Sequence, residues 1–178
     1  MVSRREKHKI MKNQKINIAE IMPTDNFSEI SKVIRESFIT VANEFGITKE
    51  SAPTNPAFLT EDNLKKSIEK GLKLYSLLIN QQISGCIGIE KATDDENGFY
   101  LERLAVLPEY RHNGYGKVLL DFAFCKIKSL NGKNVNIGII NNNIKLKNWY
   151  KDYGFIETGI NKFEHLPFDI CFMTKIVI

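Results

Sequence analysis

The chain has 178 residues, 43% of them hydrophobic and 26% charged, the size and balance of one globular domain and not of a fibrous or disordered chain. No apolar run nears the roughly 20 residues that cross a bilayer and the charged N-terminus carries no secretory signal, so a cytoplasmic protein without a membrane partner is expected. The net charge of +4 gathers at one end, where Arg4, Arg5, Lys7, Lys9, Lys12 and Lys15 are set against Glu6 alone; the remainder is near neutral, which argues against nucleic acid as a partner.

Residues 1–14 read as a disordered basic tail and residues 15–178 as a single domain. Residues 15–22 read as a strand closed by Pro23. Phe27, Ile30, Ile34, Phe38, Val41 and Phe45 then recur at steps of three and four, which predicts an amphipathic helix, with Asn26 and Glu29 as a capping pair and Gly46 as its end. After a loop with Pro53 and Pro56, a second helix starts near Thr60 and carries Leu64, Ile68 and Leu72 on one face.

Residues 73–80 and 83–91 predict a hairpin, and a polar turn over 93–98 leads to a third strand at 99–107. A glycine-containing loop follows Pro108, then a helix to Leu130, a strand at 133–140, a helix at 143–153, and strands at 154–163 and 170–178. A strand–helix–strand crossover around residues 117–130 calls for parallel neighbours, while the hairpins are antiparallel. The expected fold is α/β (α+β), with a mixed, mostly antiparallel central sheet of about seven strands and about four helices. Cys86, Cys125 and Cys171 sit among apolar neighbours without metal-ligand spacing. They are read as small buried hydrophobes, and no metal is expected.

The most specific feature is Arg111-His112-Asn113-Gly114-Tyr115-Gly116, between a strand and an amphipathic helix. A diphosphate needs several backbone N–H groups pointing into one concavity at the positive end of a helix, and glycine lets it approach without a Cβ in the way. Arg111 adds a charged donor suited to phosphate. A Walker A turn is excluded because Val118 follows Lys117, and a dinucleotide turn because Leu119 stands where a small residue is needed.

The run at 101–123, LERLAVLPEYRHNGYGKVLLDFA, resembles motif A of the GNAT superfamily of acyl-CoA N-acyltransferases, with its (Arg/Gln)-x-x-Gly-x-(Gly/Ala) turn. The run at 141–159 resembles that family's second signature, here Asn143, Tyr150, Gly154 and Phe155. The resemblance implies acetyl-CoA as acyl donor, a primary amine as acceptor, and a sheet splayed between the strands at 99–107 and 133–140. In that arrangement the pantetheine arm pairs with main-chain groups of Leu104, Ala105 and Val106, and the diphosphate sits on the amides of Arg111, His112, Asn113, Gly114, Tyr115 and Gly116. Asn143 contacts the arm near the thiol, a main-chain N–H near Val106 stabilises the oxyanion, and Tyr150 protonates the departing sulfur.

Glu102 is the nearest carboxylate on the central strand and the candidate base, with alternation placing it on the side of Leu104 and Val106. Tyr100 or water are the alternatives. The loop 46–59 and the turn 92–98, with Glu50, Asp94, Asp95 and Glu96, are the expected walls of the acceptor site. An acyl-CoA-sensing module without turnover, an aminoacyl-tRNA acceptor and a protein N-terminus as acceptor stay open as alternatives, as does a homodimer.

Overall fold

The computed structural model describes residues 14–177; most of the basic tail expected at 1–14 lies outside the described residues. Seven strands form one sheet: β1 (Ile16–Glu20), β2 (Lys73–Ile79), β3 (Gln82–Lys91), β4 (Gly98–Val106), β5 (Asn134–Ile140), β6 (Ile156–Asn161) and β7 (Ile170–Ile176), in the order β1-β2-β3-β4-β5-β7-β6. The helices are α1 (Phe27–Glu44), α2 (Glu61–Glu69), α3 (Tyr115–Ser129) and α4 (Ile144–Tyr153). Every neighbouring pair is antiparallel except β4 and β5, which the α3 crossover makes parallel. None of these helices is long and apolar enough to cross a membrane.

Local chemistry explains the element ends. The Asn26 side chain accepts from the Glu29 N–H at the start of α1, Thr60 does the same for Asn63 at α2, and Asn143 for Leu146 at α4; each satisfies a helix donor that the first turn leaves without a partner. The β2–β3 hairpin turns on two residues, Asn80 and Gln81, both at positive φ, the geometry that matches the twist of the flanking strands.

The sheet separates two apolar layers. On one side Ile87, Ile89, Phe99 and Leu101 pack with Leu119, Leu120, Ala123 and Ile127 of α3 and with Tyr150 of α4. On the other, Cys86 and Ala105 pack with Ile30 and Ile34 of α1 and Leu64 of α2. Leu119 and Leu120 are fully enclosed, so truncating either to alanine is expected to cost about 2–5 kcal/mol. Cys86 and Cys171 are buried as expected, but Cys125 is exposed on α3, a correction to the reading of all three as core residues.

Candidate active site

The site begins with an irregularity in β4. Cys86 pairs with Ala105 and Gly88 with Glu102, so one residue of β3 faces two of β4, Arg103 and Leu104. Arg103 takes φ +50°, and its guanidinium is anchored on Ser67 Oγ of α2 at 2.9 Å. This bulge bends the strand. Pairing of β4 with β5 runs only over Gly98, Phe99 and Tyr100, and beyond Tyr100 the two parallel strands diverge into an open gap.

The bulge corrects two expectations. The Leu107 N–H donates to Ser84 O at 2.9 Å, so by alternation Ala105 also turns its peptide groups toward β3. Leu104 and Val106 present theirs to the gap; Ala105 does not. Glu102 lies opposite Gly88, on the face of Cys86 and Ala105 that α1 and α2 cover, while Leu104 and Val106 pack on the α3 side. Strict alternation put all three on one face, and the extra residue at Arg103 reverses it. Burial pushes the Glu102 carboxyl up; Arg103 opposes this and Glu90 adds to it.

The turn that follows β4 is an amide cradle. Among the described residues, the N–H groups of residues 112–117 have no hydrogen-bond partner in the chain, and the first intrahelical bond of α3 runs from Val118 N–H to Gly114 O. His112 at φ +63° and Gly114 at φ +89° curl the chain so that these donors open the positive end of a 15-residue helix. Asn113 steadies the turn by donating to Tyr110 O, and the buried Tyr115 hydroxyl donates to Gln14.

Arg111 differs from its expected role. Its own N–H is taken by Pro108 O, and its guanidinium points into the protein, to Val106 O at 3.0 Å, Thr40 Oγ1 at 2.9 Å, and Ser37 O. The cradle therefore covers 112–117, not 111–116, and is main chain alone at its centre.

Tyr150 is buried among Trp149 and Phe155, with ring centroids 4.9 and 5.2 Å away, on the α3 side with Leu104 and Val106. Its hydroxyl has no hydrogen-bond partner among the described residues, and burial pushes the phenol well above its usual pKa. The Asn143 Oδ1 is used by the α4 cap at 3.1 Å, which leaves its Nδ2 as a donor.

Ile47, Ala52 and Ala57 of the loop 46–59, expected to wall the acceptor site, form a cluster with Ala42 of α1, against which Ile140 at the end of β5 packs. That sets the loop at the gap end of the sheet. Leu166 and Phe168, between β6 and β7, join the same cluster, a contribution that carried no signal in the sequence. The turn 92–98 lies instead at the paired end of β4, roughly 20 Å along the strand from Leu104. Asp95 there accepts from the Asn134 amide and the Asn97 N–H, which hold its carboxyl below the usual range. Asp94, Asp95 and Glu96 do not wall the gap.

The chain is similar to known proteins in sequence and in fold. The family model described as an acetyltransferase (GNAT) domain matches residues 70–157, from before β2 to the start of β6 and across both the gap and the cradle. The chain belongs to the GNAT superfamily of acetyltransferases. An uncharacterised N-acetyltransferase of Lactobacillus delbrueckii subsp. lactis is 27% identical over 150 residues, 78% of this chain and 83% of that relative. Two solved structures share the GNAT fold. The PaiA N-acetyltransferase of Thermoplasma acidophilum, in complex with coenzyme A, has a TM-score of 0.72 at 21% identity, over 91% of this chain and 99% of that one. The ribosomal-protein-S18-alanine N-acetyltransferase of Escherichia coli has a TM-score of 0.70 at 14% identity, over 92% and 94%. The mixed, mostly antiparallel sheet of seven strands, the four helices and the splay at the parallel β4–β5 pair stand as expected.

Proposed function

We propose that this GNAT domain takes the acetyl group of acetyl-CoA and transfers it to a primary amine by direct attack in a ternary complex. The observation that carries this reading is the run of free amides at 112–117 beside a β4 edge that the Arg103 bulge holds open. The cradle suits a diphosphate, and the edge at Leu104 and Val106 suits an extended chain carrying amides. Three free thiols among the described residues, Cys86, Cys125 and Cys171, fit a reducing cytoplasm.

Acetyl-CoA supplies a thioester at which the amine attacks; the C–N bond forms and the C–S bond breaks. A lysine-type amine has a pKa of about 10.4, so it must lose a proton first. Glu102, raised by burial, takes that proton directly or through water, approaching from the face that α1 and α2 cover. The Val106 N–H stands at the gap to stabilise the oxyanion. Tyr150, on the opposite face, gives its proton to the sulfur, which supplies the acceptor its hydroxyl lacks.

The test is release of free thiol from acetyl-CoA across a panel of primary amines, peptide N-termini and aminoacyl-tRNA. Turnover with an amine establishes the reaction and its acceptor. Tight CoA binding without turnover on any acceptor would make the domain a sensor instead.

A further inference from the structure

Arg111 joins the two halves of this site. Its Nε binds the carbonyl of Val106 on the gap edge of β4, and its two terminal nitrogens bind Thr40 Oγ1 and Ser37 O, both on α1. One residue further on, the chain enters the free amides of the cradle at His112. In the other direction α1 ends at Glu44 and passes through Gly46 into the acceptor loop, whose Ile47, Ala52 and Ala57 pack against Ala42. A single residue thus leads into the loop that receives the diphosphate, and its half-buried side chain touches the strand edge that receives the arm and the helix that carries the acceptor wall. Among the described residues its hydrogen-bond partners are three neutral oxygens on two separate elements, and the Glu109 carboxylate acts on it through its charge. Only the planar fork of arginine reaches such divergent acceptors together, since a lysine ammonium is a point charge on a flexible stem.

We propose that Arg111 is a positioning residue that couples occupancy of the 112–117 cradle to the order of the acceptor loop 45–60, so that filling the donor side prepares the acceptor side. The proposal rests on CoA binding at the cradle. A diphosphate seated on the amides fixes the turn that begins at Arg111, and the fixed guanidinium then fixes the C-terminal half of α1 and the loop that follows. Because coupling between sites is reciprocal, an ordered acceptor loop would in turn favour CoA. Arg111 also occupies the Val106 carbonyl, which leaves that residue's N–H as its one free main-chain group at the gap.

Hydrogen–deuterium exchange of the full chain, with and without CoA, tests this, with binding followed separately by calorimetry. In the wild type, CoA should slow exchange over residues 37–60 by roughly fivefold or more, the lower end of typical coupling. Arg111→Met should still bind CoA yet lose that protection, Arg111→Lys should recover part of it, and Thr40→Val, which removes one link without touching the cradle, should weaken it. Equal protection in Arg111→Met, or CoA bound to the wild type with no change over 37–60, would overturn the coupling. If Arg111→Met does not fold, undiminished protection in Thr40→Val overturns it. Absence of CoA binding to the wild type would instead defeat the functional reading itself, and calorimetry shows that directly.

Discussion

Trp149 lies across Gly116: a Cβ built on that glycine would come within 3.3 Å of the tryptophan Cζ2. The helix that opens the cradle and the helix that carries Tyr150 therefore meet beside the amides of the cradle. Trp149 is the chain's one tryptophan, so its emission should report CoA. Titration is expected to give a saturable fluorescence change and a higher Tm, with about 2.7 kcal/mol of stabilisation at a hundred times Kd. Gly114→Val should remove both. A β-branched residue at φ +89° costs about 1–2 kcal/mol, which lowers Tm but leaves the domain folded. A full CoA shift in this variant would rule out the cradle.

Tyr150→Phe deletes one hydroxyl and keeps the ring that packs on Trp149 and Phe155. The hydroxyl has no partner within the described chain, so its loss should leave stability nearly unchanged. CoA affinity should hold. Turnover should fall, toward the lower end of the roughly 10²–10⁴-fold typical of general acid catalysis, since a thiolate of pKa about 8.5 is a tolerable leaving group. Wild-type kcat in the folded variant would reduce Tyr150 to a packing residue.

Glu102→Gln separates catalysis from stability through pH. The base must be ionised, so kcat/KM should fall as pH drops through the Glu102 pKa, which burial sets above the usual carboxylate value. The variant should lose rate and that acidic limb together. The sign for stability is the reverse. A pKa raised in the folded state means that the folded protein holds the proton more tightly than the unfolded chain, so ionisation costs stability as pH rises through that window. At pH 7 the Gln variant should unfold no earlier than the wild type. An unchanged rate profile would assign the proton to water or Tyr100.

Removing residues 1–13 should leave turnover intact and stability within about 0.5 kcal/mol, as for changes away from packed features. Removing residue 14 as well takes the acceptor from the buried Tyr115 hydroxyl and should cost about 0.5–1.5 kcal/mol. A Tm unchanged between the two truncations would show that this hydrogen bond contributes nothing; loss of turnover in the shorter truncation would give the tail a role in the site.

Local chemistry made most of the molecule legible from its residues. The apolar stripe from Phe27, the cap at Asn26, the helix start near Thr60 and the paired glycines at 114 and 116 act within one or two turns of chain, so the elements and the cradle could be read directly. What local pattern could not carry was the register between strands. One unpaired residue at Arg103 reverses every face after it, which puts Leu104 and Val106 on the α3 side and leaves Glu102 on the α1–α2 side, and the peptide groups of Ala105 turn toward β3. Where the Arg111 guanidinium points was likewise decided only when α1, distant in sequence, folded against β4 and offered Thr40 and Ser37. A side chain with several donors goes to the acceptors that surround it in space, and the motif around it does not say which those are.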